Sequence, residues 1–284
     1  MKQGALYVVA TPIGNLDDIT IRGLETLRTV DLIACEDTRK SRVLLSRWNI
    51  STPLLSLHKF SESRKIRTVL DRLESGESVA LISDAGTPAI SDPGGRLVKA
   101  ALDAGIKVTP VPGPSSITAA MSVAGTEAAE FVYCGFVPRK DEQRRAFFEK
   151  IMREQRTSLF FESPKRALAT LSIAAQVLGS RRMVLTRELT KMHEEILSGT
   201  AAHLLEELTS RSSVRGEIVV VVEGAAETRP EVDPHEAVGR LVAEGFSGKT
   251  LAQEAHRRFG VRKGDAYRIY LSRKAADHDE DSDD

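Results

Sequence analysis

Eight short apolar, β-branched runs alternate with amphipathic segments along this chain, and that alternation constrains its fold more than any other feature. The runs are Leu6–Ala10, Leu32–Cys35, Val79–Ile82, Val108–Val111, Phe131–Gly135, Ser158–Phe161, Met183–Thr186 and Ile218–Val222. Between them, Arg64–Ser75, Leu97–Ala104, Gln143–Gln155 and Ala167–Leu178 carry helical periodicity. Strands alternating with helices predict an α/β architecture. The strand VTPV runs into PGPSS near Val111–Pro114, which predicts a boundary between an N-terminal α/β domain (1–113) and a second α/β domain (114–224). Ala225–Pro234 is polar with two prolines and reads as a linker. Three short helices follow (His235–Glu244, Thr250–Phe259 and Lys263–Leu271) in a helix-turn-helix-like unit over 235–274. Leu241, Phe246, Leu251, Ala255, Phe259, Val261, Tyr267 and Leu271 are its expected core. The acidic residues 275–284 cannot build a core and are expected to be disordered.

The loop Ser83–Arg96, SDAGTPAISDPGGR, follows the run VALI. Gly86 permits φ > 0 and close approach to the main chain, and Pro88 and Pro93 stiffen the loop. Asp92 reads as an N-cap with Pro93 at the first helical position. Four further loops follow candidate strands: TPIGNL from Thr11, CEDTR from Cys35, PGPSS from Pro112 and RELTK from Arg187. In open parallel sheets such loops gather on one edge, where ligands bind. No two glycines are spaced as G-x-G, which removes the dinucleotide fingerprint. Gly248-Lys249 has Ala243 where a Walker loop needs glycine, and neither HExxH nor GxSxG occurs.

The net charge is zero but unevenly spread. Lys249–Lys274 holds eight Lys/Arg against Glu254 and Asp265, and Asp277–Asp284 holds six acids without a cation. Such asymmetry points to a polyanionic partner. Lys249, Arg257, Arg258, Arg262, Lys263 and Arg268 are the candidate contacts to the phosphates of such a polyanion; a solvated helical face is the alternative. Cys35 and Cys134 lack metal-site spacing, so no metal is expected, and they read as buried, reduced thiols of a cytoplasmic protein. No apolar run approaches the ~18 residues that span a bilayer.

The set TPIGNLDDIT, EDTR, SDAGTPAISDPG, PGPSS, ESPKR, RELTK and GEIVVVVEG resembles the ribosomal RNA small subunit methyltransferase I family of the tetrapyrrole methylase-like superfamily, over nearly the whole chain. Tetrapyrrole enzymes carry GGDPxxFG in the third loop; here the stretch is Ala85 to Asp92, AGTPAISD, which argues against a tetrapyrrole substrate. The resemblance implies S-adenosylmethionine in a cleft between two α/β domains, and a homodimer. It implies methyl transfer to the ribose 2′-oxygen of a cytidine in the decoding region of 16S rRNA, within the small ribosomal subunit. Pro12, Gly86, Thr87, Ile90, Ser115 and Ser116 match the family's cofactor-facing loops, with Asp84 and Phe136 as neighbours.

A ribose hydroxyl is a weak nucleophile, so a base or an orienting cation helps. Glu36, Asp37, Arg39, His58 and Lys191 are the residues expected on the acceptor side. Glu36, Asp37 and Arg39 equally suit a structural ion pair, His58 a surface role, and Lys191 a phosphate contact or a solvated loop. Two other readings remain at this point: a tetrapyrrole methyltransferase on the same scaffold, and a nucleic-acid-binding regulator sensing a small molecule.

Overall fold

Leu32–Cys35 is buried at every position, as a strand covered on both faces must be. The computed structural model, which describes residues 4–57, 62–126, 129–226 and 232–280, sets this strand inside a five-stranded parallel sheet. The strands β1 (Ala5–Val9), β2 (Leu32–Cys35), β3 (Leu54–Ser56), β4 (Val79–Leu81) and β5 (Lys107–Val111) lie in the order β3-β2-β4-β1-β5. Helices α1 (Ile21–Thr29), α2 (Thr38–Arg47), α3 (Glu62–Glu74) and α4 (Gly95–Asp103) connect them. The period-two alternation of β1 divides two cores: Val9 packs with Leu27 and Ile33 on one face, and Leu6 packs with Leu73 and Leu97 on the other.

The second half contains α5 (Ser116–Val123), β6 (Phe131–Phe136), α6 (Asp141–Arg153), β7 (Thr157–Glu162), α7 (Ala167–Leu178), β8 (Arg182–Arg187), β9 (Glu195–Thr200), α8 (Ala201–Thr209) and β10 (Ile218–Val222). Its sheet runs β6-β7-β10-β8-β9 and is mixed. β6 and β7 are parallel, whereas β10 is antiparallel to both β7 and β8. The carboxyl ends of β6, β7 and β8 therefore share an edge with the start of β10. In β10, Ile218, Val220 and Val222 enter the large core around Phe148 and Phe160, while Val219 and Val221 pack under α5.

Two strands (β3 and β9) and three helices (α1, α2 and α8) lie outside the sequence expectation. β3 has only three residues, and β9 is a half-buried edge, so neither carries an apolar run. α1 and α2 have polar sequences whose buried faces are narrow, Ser41, Leu44 and Leu45 in α2. The expected N-cap at Asp92 is also corrected: Gly94, at φ +117°, precedes α4 and makes no side-chain cap. A Cβ on Gly94 would lie 2.7 Å from Leu81 Cδ2, so only glycine lets the helix start this close to β4.

The chain divides into two compact units, Met1–Gly224 and Ala225–Asp284. The second is three helices, α9 (Pro234–Ala243), α10 (Gly248–Phe259) and α11 (Lys263–Glu280), around Val238, Leu241, Leu251, Ala255 and Ala266. Tyr267 and Leu271, expected inside, are exposed, and Ala266, Ile269 and Tyr270 face the core instead. α11 continues through Glu280, beyond Leu271 and into the acidic stretch expected to be disordered; residues 281–284 lie outside the described residues.

Phe147, Phe148 and Phe160 meet edge to face at 5.3–5.7 Å beside the second sheet. Phe160→Ala is expected to lower unfolding stability by about 3–5 kcal/mol, read as a shift of the denaturant midpoint.

Candidate active site: a cleft between the two sheets

β1, β2, β4 and β5 are parallel, so their following loops emerge on one edge. Three of those loops are stitched together. Thr11 and Gly86 exchange two backbone hydrogen bonds, of 2.9 and 3.0 Å. The Thr11 hydroxyl donates to the Ser83 carbonyl at 3.2 Å, and the Thr87 hydroxyl donates to the Pro114 carbonyl at 3.3 Å. Gly86 sits at φ +77°.

The second sheet supplies the facing wall. Gly135, at φ +70°, falls where the β6–β7 register shifts between Tyr133 and Phe136. Such an irregularity re-aims a side chain. Phe136 is left 57% exposed and packs edge-on against Phe161 at 5.3 Å. The two walls touch at two points. The Ser91 and Tyr133 hydroxyls share a hydrogen bond of 2.5 Å. The Asn15 amide donates to Thr190 Oγ1 at 3.0 Å, which brings the RELTK loop onto TPIGN. Gly14 permits that approach, since a Cβ there would lie 2.5 Å from Lys191 Cγ and 2.8 Å from the Leu189 carbonyl oxygen. Ala89, Ser91, Glu188 and Thr190 adopt positive φ without being glycine, and all four flank this junction. Strain of this kind costs about 1–3 kcal/mol per residue and concentrates at functional sites.

The cleft has a volume of about 430 Å³, within the ~300–1,000 Å³ of small-molecule sites. Of the residues expected to face the cofactor, Asp84, Gly86, Thr87, Ile90, Ser115, Ser116 and Phe136 come together in its lining. Pro12 lines an adjoining cavity instead.

The acceptor-side candidates separate. Glu36 lines the cleft. Asp37 caps α2, accepting the Arg39 amide at 2.9 Å and its guanidinium at 3.0 and 2.6 Å. Those bonds, side chain first and backbone second, hold its carboxyl far below the usual carboxylate range. Arg39 is thereby the partner of that cap. Lys191 bridges Glu188 at 2.8 Å and Glu217 at 3.1 Å, and so braces the RELTK loop. The Lys191 bond is the main reason the Glu188 carboxyl is held low. His58 lies outside the described residues.

In the helical unit, Arg257 and Arg258 both bind Glu254, and Arg258 also binds Glu244. Arg262 and Arg268 lie 3.6 Å from Asp265. Lys249 and Lys263 are exposed. Acids in the same helices thus offset part of the positive face read from the sequence.

Lys40 and Asp92 were missed as site residues. Lys40 Nζ donates to Asp84 Oδ2 at 2.8 Å, and Asp84 Oδ1 accepts the Asp37 amide at 3.0 Å. The Asp92 carboxyl faces the cleft and is pushed up to about 6, first by burial and then by the negative charge of Glu36. Its place in SDPG reads as a helix cap, and that local signal hides its chemistry.

Known proteins share this arrangement. The Tetrapyrrole (Corrin/Porphyrin) Methylases family matches residues 5–205. The chain is 40% identical over 278 residues to the ribosomal RNA small subunit methyltransferase I of Halalkalibacterium halodurans, covering 94% of this chain and 95% of that one. It is 48% identical over 226 residues to the enzyme of the same name from Xylella fastidiosa, covering 79% and 83%. The chain belongs to the ribosomal RNA small subunit methyltransferase I family of tetrapyrrole methylases. It is an S-adenosylmethionine-dependent methyltransferase. The same fold occurs in uroporphyrin-III C-methyltransferase from Thermus thermophilus complexed with S-adenosylhomocysteine (TM-score 0.56, 17% identity, 78% of this chain and 97% of that one). A cationic sulfonium carrying an adenosine fits the cleft of this methyltransferase. Glu36, Asp84 and Asp92 supply negative charge, and Ile13, Ile90, Phe136 and Phe161 supply apolar walls.

The folded Asp92 carboxyl binds its proton more tightly than an ordinary carboxyl of 3.8, so raising pH through about 6 destabilises the ligand-free fold at this group. Asp92→Asn is expected to raise Tm near pH 8 and to leave it unchanged near pH 4, as read in thermal melts at both values.

Proposed function

We propose that this methyltransferase methylates 16S rRNA in the small ribosomal subunit, at the ribose 2′-oxygen of a cytidine in the decoding region. We take it to act in the cytoplasm, as a homodimer. Among the described residues no helix is long and apolar enough to cross a membrane, in keeping with such a substrate. The observation that carries the reading is the cleft between the two sheets, where Glu36, Asp84 and the half-buried Asp92, whose carboxyl is pushed up to about 6, stand beside apolar walls suited to a cationic donor. The 40–48% identity to proteins named as ribosomal RNA methyltransferases supports RNA over a tetrapyrrole, since the uroporphyrin enzyme is only 17% identical.

The bound cofactor supplies an electrophilic methyl group on a sulfonium. Gly86, Thr87 and Ser115–Ser116 would hold it through their loops, with Ile90 and Phe136 against its adenosine. The two strapped walls keep water out and hold the ribose oxygen in line, an orientation effect worth up to ~7–11 kcal/mol in favourable cases. With the donor bound, Asp92 would take the proton that the ribose hydroxyl loses on accepting the methyl group, the donor's sulfur departing as a neutral thioether. A base with a pKa near the working pH is the efficient choice. Glu36 raises the Asp92 pKa, and the Lys40–Asp84 pair shapes the acceptor side. Asp37, Arg39 and Lys191 act by bracing α2 and the RELTK loop. The exposed Lys249 and Lys263 hold phosphates without reading sequence.

Purified protein given methyl-labelled S-adenosylmethionine and small subunits is expected to label a cytidine 2′-oxygen in 16S rRNA. Label absent from RNA, or appearing in a tetrapyrrole, would refute the reading. Asp92→Asn is expected to lower kcat by about 10²–10⁴ and to abolish the fall of the wild-type rate below about pH 6, the value of its carboxyl. The double variant Lys249→Glu, Lys263→Glu is expected to lower the slope of log affinity against log salt by about 2, with cofactor affinity unchanged in calorimetry.

A further inference from the structure

Beside the cofactor cleft lies a second cavity of about 260 Å³. Pro12, Leu16, Val43 and Leu44 give it an apolar lining, and it shares Lys40 and Asp84 with the cleft. The Lys40–Asp84 ion pair, 2.8 Å long, therefore stands at the wall common to both spaces. One side of this cavity is α2, whose sequence TRKSRVLLSR carries four cations and no acid. Arg39, Lys40, Arg42 and Arg47 are all exposed. On the same helix Val43 is 60% exposed at the cavity, an apolar side chain set among cations.

From this juxtaposition we propose that the second cavity receives the unstacked base of the acceptor nucleotide, and that α2 holds the phosphates on either side of it. The proposal rests on the RNA reading above and names the site of that substrate. A nucleotide stacked in a helix cannot carry its ribose into a cleft between two walls; it must leave the stack, and its base then needs an apolar place. The cavity supplies that place next to the ribose position, and the cations of α2 match the charge of the chain entering and leaving. Arg39 is paired with Asp37 and Arg47 with Asp17. The Arg47–Asp17 pair is exposed on both sides, so a phosphate displaces it readily. The Lys40–Asp84 pair separates base from cofactor and leaves the ribose between them.

The test uses the full chain with small ribosomal subunits. Val43→Trp fills the cavity from its exposed rim. It is expected to raise KM for subunits about tenfold or more, while calorimetry shows the affinity for S-adenosylhomocysteine unchanged. Arg42→Glu, exposed and outside the cavity lining, is expected to lower the salt slope of RNA binding by about 1 and to leave S-adenosylhomocysteine binding intact. Wild-type KM and kcat in Val43→Trp, or an unchanged salt slope in Arg42→Glu, would overturn the proposal. Should Val43→Trp lose S-adenosylhomocysteine binding, the Arg42→Glu slope decides. Failure of the wild-type protein to label rRNA would instead remove the RNA reading, so the two failures are told apart.

Discussion

The two hydrogen bonds between the backbones of Thr11 and Gly86 hold the rest of the site in place. They join the loop after the first strand to the loop after the fourth, outside any regular strand. Neither loop has a ladder to satisfy its main-chain polar groups, and buried groups of this kind must pair. Pairing with each other satisfies them and sets the position of Thr87, which reaches across to the Pro114 carbonyl. Three chain segments far apart in sequence thereby become one rigid rim.

Against that rim the second sheet brings a strained partner. Glu188 and Thr190 take positive φ, and the Thr190 hydroxyl accepts the Asn15 amide. Ala89 and Ser91 are strained on the opposite side, and Ser91 bonds Tyr133. The strain is tolerated because each loop is fixed by contacts to the other wall. Asp92 is half-buried beside Glu36, and burial, followed by the charge of Glu36, raises its pKa.

Charge is arranged differently in the two units. In the helical unit, Glu254, Glu244 and Asp265 partner most of the arginines, so its face is a mixed network with a few exposed lysines. In the α/β unit, Arg39, Lys40 and Arg47 of α2 pair with Asp37, Asp84 and Asp17, acids that lie outside that helix. A summed charge over a sequence window, such as the excess across Lys249–Lys274, does not distinguish these cases. Only the side-chain partners do.

The sequence by itself determined the α/β class, most of the strands and the strand-end loops that come together at the cleft. Runs such as IVVVV and LIAC are apolar at every position because both faces are covered, and glycine and proline mark the strand ends where the chain turns. Local composition carries these signals. The edge strand Glu195–Thr200 and the polar helix Thr38–Arg47 carried none, because each hides only a narrow face. The roles of Asp92, Lys40 and Lys191 were decided by tertiary structure alone. The carboxyl in SDPG lines the cleft, half-buried, instead of capping a helix, and the lysine in RELTK is a brace because Glu188 and Glu217 converge on it. Burial and partners of this kind come from residues distant in the chain, and no local pattern encodes them.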